Sequence, residues 1–344
     1  MIKLLIVDDS ALMRRQLSSV FEAQGDFEIR LARNGKEAVE ENIRFQPDVV
    51  TLDINMPEMD GLTALSMMMA QRKVPVVMVS SLTEQGALST FEALALGAVD
   101  YIAKPGGTIS LSLDEINREL VAKVRAAIKA RVKTTRVNSS VSVTPVVKAE
   151  SHATSNGIVI IGVSTGGPRT LEEVLPLFPR DFPYPIVVAQ HMPNSFTAPF
   201  ASRMDKLCAL NVVEANHPMP LEAGVIYIGK GGADMTVSQR DGKARVMPRP
   251  ENSNFSWHPS VELLARSVLE NYDATKIIAV MLTGMGYDGA EAFTEIKNRG
   301  GKTIAESQES CVVFGMPAEL INRNGASVVL PASRITRQVV AWIS

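Results

Sequence analysis

The feature that most limits what this chain can fold into is an alternation of short β-branched runs with helical patterns, kept up on both sides of one break. Strands are expected at Lys3–Val7, Glu28–Ala32, Val49–Asp53, Val76–Ser80 and Val99–Ala103. Helical periods lie at Ala11–Glu22, Lys36–Phe45, Leu62–Gln71, Gln85–Leu96 and Leu113–Lys129. Units of this length predict a parallel sheet with helices on both faces, because successive parallel strands need a crossover. Residues 131–156 change character: nine of these 26 are Ser or Thr and no apolar period persists, the composition of a linker. From Gly157 the alternation resumes, with strands expected at Ile158–Val163, Ile186–Gln190, Val225–Ile228, Lys276–Leu282, Lys302–Ala305 and Ser327–Leu330. Helices are expected at Arg169–Leu177, Ser195–Leu207, Ser260–Glu270, Gly289–Asn298 and Thr336–Trp342. The stretch Gly229–Arg249, with Gly231-Gly232 and Asp241-Gly242, reads as a hairpin insertion. The expectation is an α/β chain of two doubly wound parallel-sheet domains, 1–130 and 157–344, joined by the linker 131–156.

A length of 344 residues suits two domains that each bury a core. Net charge is only −2, which points to neither a nucleic-acid nor a membrane surface. The charge is uneven: residues 1–125 hold 13 basic and 18 acidic side chains, the remainder 22 and 19, so the halves could attract each other. Screening within about 10 Å makes this a weak signal. Cys208 and Cys311 are the only cysteines, which argues against a disulfide scaffold and fits a reducing compartment. The chain begins on a strand pattern without a signal-peptide profile, and no apolar run approaches the roughly 18 residues that span a bilayer. A cytoplasmic monomer without direct membrane insertion is expected.

In the first domain, Asp8-Asp9 follow the first strand, Asp53 ends the third, Ser80 ends the fourth and Lys104-Pro105 follow the fifth. A parallel sheet with right-handed crossovers lines these C-terminal ends along one edge, where such sheets hold ligands. Three carboxylates there repel one another unless a hard dication sits among them, and Mg²⁺ suits oxygen ligands. Asp53 can attack a phosphoryl group to give an aspartyl phosphate, with Lys104 and the Ser80 hydroxyl on its equatorial oxygens. Paired acids alone are usually a solvated turn; five positions at matching strand ends are not. Residues 1–125 therefore resemble a response-regulator receiver domain. The resemblance implies a flavodoxin-like fold, Asp53 as phospho-acceptor, Asp8, Asp9, Asp53 and the carbonyl of Asn55 around Mg²⁺, Ser80 as switch hydroxyl and Lys104 as phosphate-binding lysine.

In the second domain, Gly162-Val163-Ser164-Thr165-Gly166-Gly167-Pro168 follows the apolar run Ile158–Ile161. A strand ending in G-x-S-x-G lifts a serine hydroxyl onto a sharp turn. Gly167 fits the N-cap of the following helix and Pro168 its first position, so Ser164 would face unpaired N–H groups and a helix dipole. The motif alone fits a nucleophile and an anion-binding loop equally well. A serine nucleophile needs a base. Of four histidines, His152 lies in the linker, His217 in a loop and His258 ahead of Pro259, whereas His191 follows a strand at the edge that carries Ser164. Asp288, in Gly284-Met285-Gly286-Tyr287-Asp288-Gly289, follows another strand at that edge and can hold the base. The order Ser164, His191, Asp288 is not that of α/β-hydrolases.

These motifs, with Gln190-His191-Met192-Pro193, His258-Pro259-Ser260-Val261 and Cys311-Val312-Val313-Phe314-Gly315-Met316-Pro317, resemble the chemotaxis protein-glutamate methylesterases. The resemblance covers nearly the whole chain. It implies a Rossmann-like esterase domain after the receiver, a triad of Ser164, His191 and Asp288, oxyanion support near Met285 with help from Thr165, and no cofactor for the ester reaction. It further implies methyl-accepting chemoreceptors as substrate, a chemotaxis histidine kinase as phosphodonor, and a receiver that covers the cleft until phosphorylated. Deamidation of receptor glutamines stays open, as does His258, which fits a cleft residue or a helix-entry residue. Three rival readings have less behind them. An inactive regulatory module would lack a triad member, a phosphate-binding loop would need a Lys after its glycines, and a DNA-binding regulator would need a basic helix-turn-helix.

Overall fold

A computed structural model of the chain describes residues 1–81, 83–104, 113–130, 156–240 and 243–343. The expected linker apart from Asn156, His152, Pro105 and the Asp241-Gly242 turn lie outside the described residues. The chain divides into two compact units, Met1–Ser139 and Ser140–Ser344. Among the described residues no helix is long and apolar enough to cross a membrane.

The first unit alternates β1 (Ile2–Val7), α1 (Ala11–Glu22), β2 (Phe27–Ala32), α2 (Gly35–Arg44), β3 (Val49–Asp53), α3 (Gly61–Gln71), β4 (Val76–Ser80), α4 (Glu84–Leu96), β5 (Asp100–Ala103) and α5 (Leu113–Ile128). The strands form one parallel sheet in the order β2-β1-β3-β4-β5. β3 and β4 are buried along their whole length, which is why they read as unbroken apolar runs rather than alternating ones. Ser10, Asn34, Asp60 and Thr83 cap α1 to α4, each accepting an N–H of the first turn. α3 starts at Gly61 for a steric reason: a Cβ there would strike the Asp53 carbonyl, and Gly61 N donates to Ile54 O at 2.8 Å. Met68 and Met69 are buried as core filling, while Met67 is exposed.

The second unit runs β6 (Ile158–Val163), α6 (Gly167–Val174), a 3₁₀ turn (Leu175–Leu177), β7 (Ile186–Gln190), α7 (Asn194–Leu207), β8 (Asn211–Ala215), β9 (Met219–Pro220), β10 (Val225–Gly229), β11 (Asp234–Arg240) and β12 (Lys243–Arg249). It continues with α8 (Val261–Asn271), β13 (Ile277–Met281), α9 (Ala290–Asn298), β14 (Lys302–Glu306), α10 (Met316–Asn322), β15 (Val328–Leu330) and α11 (Ala332–Ala341). Seven strands form a parallel sheet in the order β15-β14-β13-β6-β7-β10-β8. The hairpin insertion is present as β11 and β12, antiparallel, with β9 added to form a separate three-stranded sheet.

Three elements are additional to the sequence reading: β8, the two-residue β9 and α10. β8 was not expected: it is a half-buried edge strand, and its short run Asn-Val-Val-Glu-Ala carries little pattern. α10 has seven residues, too short for a helical period to be read. The α6 cap is also shifted by one residue. Gly166, at φ 77°, is the N-cap, and Gly167 and Pro168 occupy the first two helical positions. A Cβ at Gly167 would strike Gln190 Oε1, so that position must be glycine for packing rather than capping.

Candidate active site

β6 sits at the centre of the seven-stranded sheet, with β13 on one side and β7 on the other. Ser164 follows β6, His191 follows β7, and the loop carrying Asp288 follows β13. Three adjacent parallel strands therefore deliver the three residues to one edge. Backbone hydrogen bonds fix the loops to each other: His191 N donates to Val163 O at 3.1 Å and Ser164 N to Thr283 O at 3.0 Å. The Gln190 side-chain amide donates to the carbonyls of both Ser164 and His191, each at 3.0 Å. Gln190 thus clamps the serine turn to the histidine turn, a role sequence reading missed because its side chain points back into the fold.

His191 Nε2 lies 2.9 Å from Asp288 Oδ2. Asp288 is buried and set on the N-terminus of α8. It also accepts from Val261 N at 2.7 Å, Glu262 N at 3.0 Å and the Ser260 hydroxyl at 3.1 Å. Burial pushes its carboxyl up, but the His191 bond and the helix N–H groups outweigh that and hold it below the usual carboxylate range. His191 Nδ1 is buried and has no hydrogen-bond partner, and the Ser164 hydroxyl makes no hydrogen bond among the described residues. The imidazole therefore gives its Nε2 to the carboxylate and keeps Nδ1 free, the reverse of the Ser-His-Asp arrangement in which the acid holds Nδ1.

The N–H groups of Thr165, Gly166 and Met285 make no hydrogen bond among the described residues. Gly284, beside Met285, lies against the Ser164 turn, where a Cβ would come within 2.7 Å of Ser164 Cβ. Unpartnered N–H groups flanking a serine are the equipment of an oxyanion hole. His258 is held by a second carboxylate, Asp234. Its Nδ1 lies 3.0 Å from Asp234 Oδ1, and the buried Asp234 also accepts from Asn252 N and Ser260 N, both at 2.8 Å. Asp234 thereby ties down the whole loop 252–260. Its partners lie 18 to 26 residues away and carry no spacing signal in sequence.

Beneath the site lies Glu306, fully buried at the end of β14. It accepts from Thr283 N at 2.8 Å and the Ser310 hydroxyl at 2.7 Å, and Thr283 in turn donates its hydroxyl to Thr165 O at 3.0 Å. Burial pushes the Glu306 carboxyl up, against the pull of these donors. A carboxyl whose pKa is raised on folding binds its proton more tightly in the native state, so its contribution to stability falls as pH rises above the unfolded value of about 4.3. Glu306→Gln is expected to flatten that fall: the melting temperature of the variant should gain on the parent between pH 5 and pH 8, as followed by calorimetry. An unchanged difference across that range would mean that Glu306 titrates as an ordinary carboxyl.

In the first unit, Lys104 Nζ lies 3.0 Å from Asp8 Oδ2 and 2.8 Å from Asp53 Oδ2. Asp8 and Asp53 are buried, Asp9 is exposed, and the three offer carboxylate oxygens within 4.8 Å of one another. Burial raises the Asp53 carboxyl despite the Lys104 ammonium beside it. Burial opposes the charge on Lys104, but Asp53 and Asp8 hold its pKa above the usual lysine value. An all-oxygen, carboxylate-rich donor set of this size fits Mg²⁺. Asn55 N lies 3.4 Å from Asp53 Oδ1, so this backbone segment adjoins the cluster. The Ser80 hydroxyl does not join it: it faces Gly86 O at 3.3 Å, toward the start of α4.

With this geometry in hand, the family model described as CheB methylesterase matches residues 159–339. The chain belongs to the CheB methylesterase family. Residues 4–113 match the response regulator receiver domain. A protein-glutamate methylesterase/protein-glutamine glutaminase of Rhodospirillum rubrum is 55% identical over 100% of this chain and 97% of its own length. One from Thermotoga maritima is 41% identical over 99% and 98%. The crystal structure of the Thermotoga maritima CheB methylesterase catalytic domain superposes with a TM-score of 0.53 and 40% identity, covering 55% of this chain and 99% of that one. The expected α/β fold of the CheB type, receiver followed by esterase, is thus met.

Proposed function

We propose that the chain is a phosphorylation-regulated serine esterase that hydrolyses glutamate methyl esters on the cytoplasmic helices of chemoreceptors, with methanol as product, in chemotaxis adaptation. The observation that carries this reading is the His191–Asp288 contact at 2.9 Å, which leaves Nδ1 buried and unpartnered on a histidine whose turn is tied to the Ser164 turn through Val163 O and Gln190. The Ser164 hydroxyl oxygen attacks the ester carbonyl as its proton passes to His191 Nδ1. The N–H groups of Thr165, Gly166 and Met285 receive the negative charge that builds on the carbonyl oxygen. The imidazolium, stabilised by Asp288, returns the proton to the departing methoxide, and methanol leaves. Water then attacks the acyl-serine with His191 again taking the proton, which frees the glutamate carboxylate and restores the serine. The same sequence on a glutamine amide would release ammonia, the second activity in the names of the relatives.

Asp53 is the phospho-acceptor in this reading, and a chemotaxis histidine kinase the donor. Asp8, Asp9, Asp53 and the Asn55 carbonyl would hold Mg²⁺, which when bound supplies positive charge to the phosphoryl oxygens. Lys104 binds an equatorial oxygen of the transferred group, and Ser80 must turn from Gly86 to contribute its hydroxyl. The test is methanol release from receptor-containing membranes carrying labelled methyl esters. Release that needs the chain and rises with a small phosphodonor is the expected result. No release from methylated receptors under either condition would defeat the reading.

A further inference from the structure

We propose that Trp257 is a positioning residue for His191: its indole covers one face of the imidazole, fixes the ring plane, and stabilises the imidazolium that forms during acyl transfer. The two rings are stacked, 3° from parallel with centroids 5.7 Å apart, within the range of offset aromatic pairs. Trp257 is itself held from three sides. Tyr287 packs edge-on at 5.2 Å and 86°. Gly286, at φ 95°, leaves room that a side chain would take, since a Cβ there would lie 2.9 Å from Trp257 Cζ2. Asp234 pins the loop on both sides of Trp257 through Asn252 N and Ser260 N. So much support for one ring in a loop points to a task at the atom group it faces.

That group is the His191 side chain, only 9% exposed. The Asp288 carboxylate occupies Nε2, and the Ser164 turn and residues 192–194 bring no charged side chain. Loop 252–260 brings His258, whose Nδ1 is already engaged by Asp234. Beside Asp288, the indole face is therefore a partner for charge on the ring. When the proton leaves Ser164 Oγ for Nδ1, the ring becomes a cation under a π face, which attracts it. The interaction is made in the transition state and not with bound substrate, so its loss should fall on kcat and leave KM alone.

This inference rests on His191 as the base. The experiment measures kcat and KM for methanol release by the phosphodonor-treated full chain on methylated receptor membranes, with melting temperatures as a folding control. Trp257→Leu, which keeps apolar cover without a π face, should lower kcat about 5- to 30-fold with KM within about twofold. Trp257→Phe, which restores a face, should recover kcat to within about threefold of the parent. Trp257→Met takes the place of the leucine variant if that one does not fold. An unchanged kcat in the leucine or methionine variant overturns the proposal. So does a loss confined to KM, which would make the indole a substrate contact, or a folded phenylalanine variant as slow as the leucine one. His191→Gln separates the two levels: if it keeps methanol release, the base assignment itself fails, whatever Trp257 does.

Discussion

Ser164→Ala is expected to lower methanol release from methylated receptors by about 10⁴- to 10⁶-fold, the scale at which serine triads fail. His191→Ala should cost a similar amount, and the double variant little more than either alone, because nucleophile and base act as a unit. The residual rate would come from the N–H groups of Thr165, Gly166 and Met285, which neither substitution removes. The fold should tolerate both changes. Ser164 makes no side-chain hydrogen bond among the described residues, and His191 Nδ1 is unpartnered, so alanine strands no internal donor at either atom. Removing His191 does release Asp288, but three other donors stay on that carboxylate: Val261 N, Glu262 N and the Ser260 hydroxyl. Single-turnover methanol release, with melting temperatures alongside, checks this. A Ser164→Ala chain that keeps most of its activity would rule out the serine mechanism, and strictly multiplicative losses in the double variant would rule out the pairing.

What the sequence made legible follows from one geometric rule. Parallel strands with right-handed crossovers present their C-terminal ends together, so any residue at the end of an apolar run can be placed on an edge before a structure exists. Asp8, Asp53, Lys104, Ser164 and His191 all sit at such ends, and the structure brings them into two clusters. The rule says nothing about side-chain direction. Ser80 ends β4 as read, yet its hydroxyl turns to Gly86. It is also blind to residues that reach the site from loops. Trp257 meets His191 from a loop that follows the hairpin insertion, and the contacts of Asp234 anchor that loop at both ends. Glu306 ends a strand too, but a glutamate there reads as solvated surface, and its burial depends on Thr283 and Ser310 arriving from other loops. Which imidazole nitrogen the acid holds is equally invisible in sequence, because it depends on the angle at which the loop after β13 brings Asp288 to the ring.

Asp53→Asn is expected to abolish labelling of the full chain by a small phosphodonor in the presence of Mg²⁺, and with it the stimulation of methanol release. Asn presents an amide where Asp53 Oδ2 faces the Lys104 ammonium at 2.8 Å, and an amide is neither an oxygen nucleophile nor a counter-charge. Lys104 would keep Asp8 Oδ2 at 3.0 Å, so the lysine is not left unpaired and the unit should stay folded. A two-state chain moved from one active molecule in a hundred to nearly all needs about 5.5 kcal/mol of bias, which two or three new charge-assisted contacts to one phosphoryl group can supply. The parent's esterase rate should therefore rise by up to about 100-fold on phosphorylation, and that of Asp53→Asn should stay at its basal level. Undiminished, hydroxylamine-sensitive label on Asp53→Asn would move the acceptor to another carboxylate. Label lost with stimulation intact would detach regulation from Asp53.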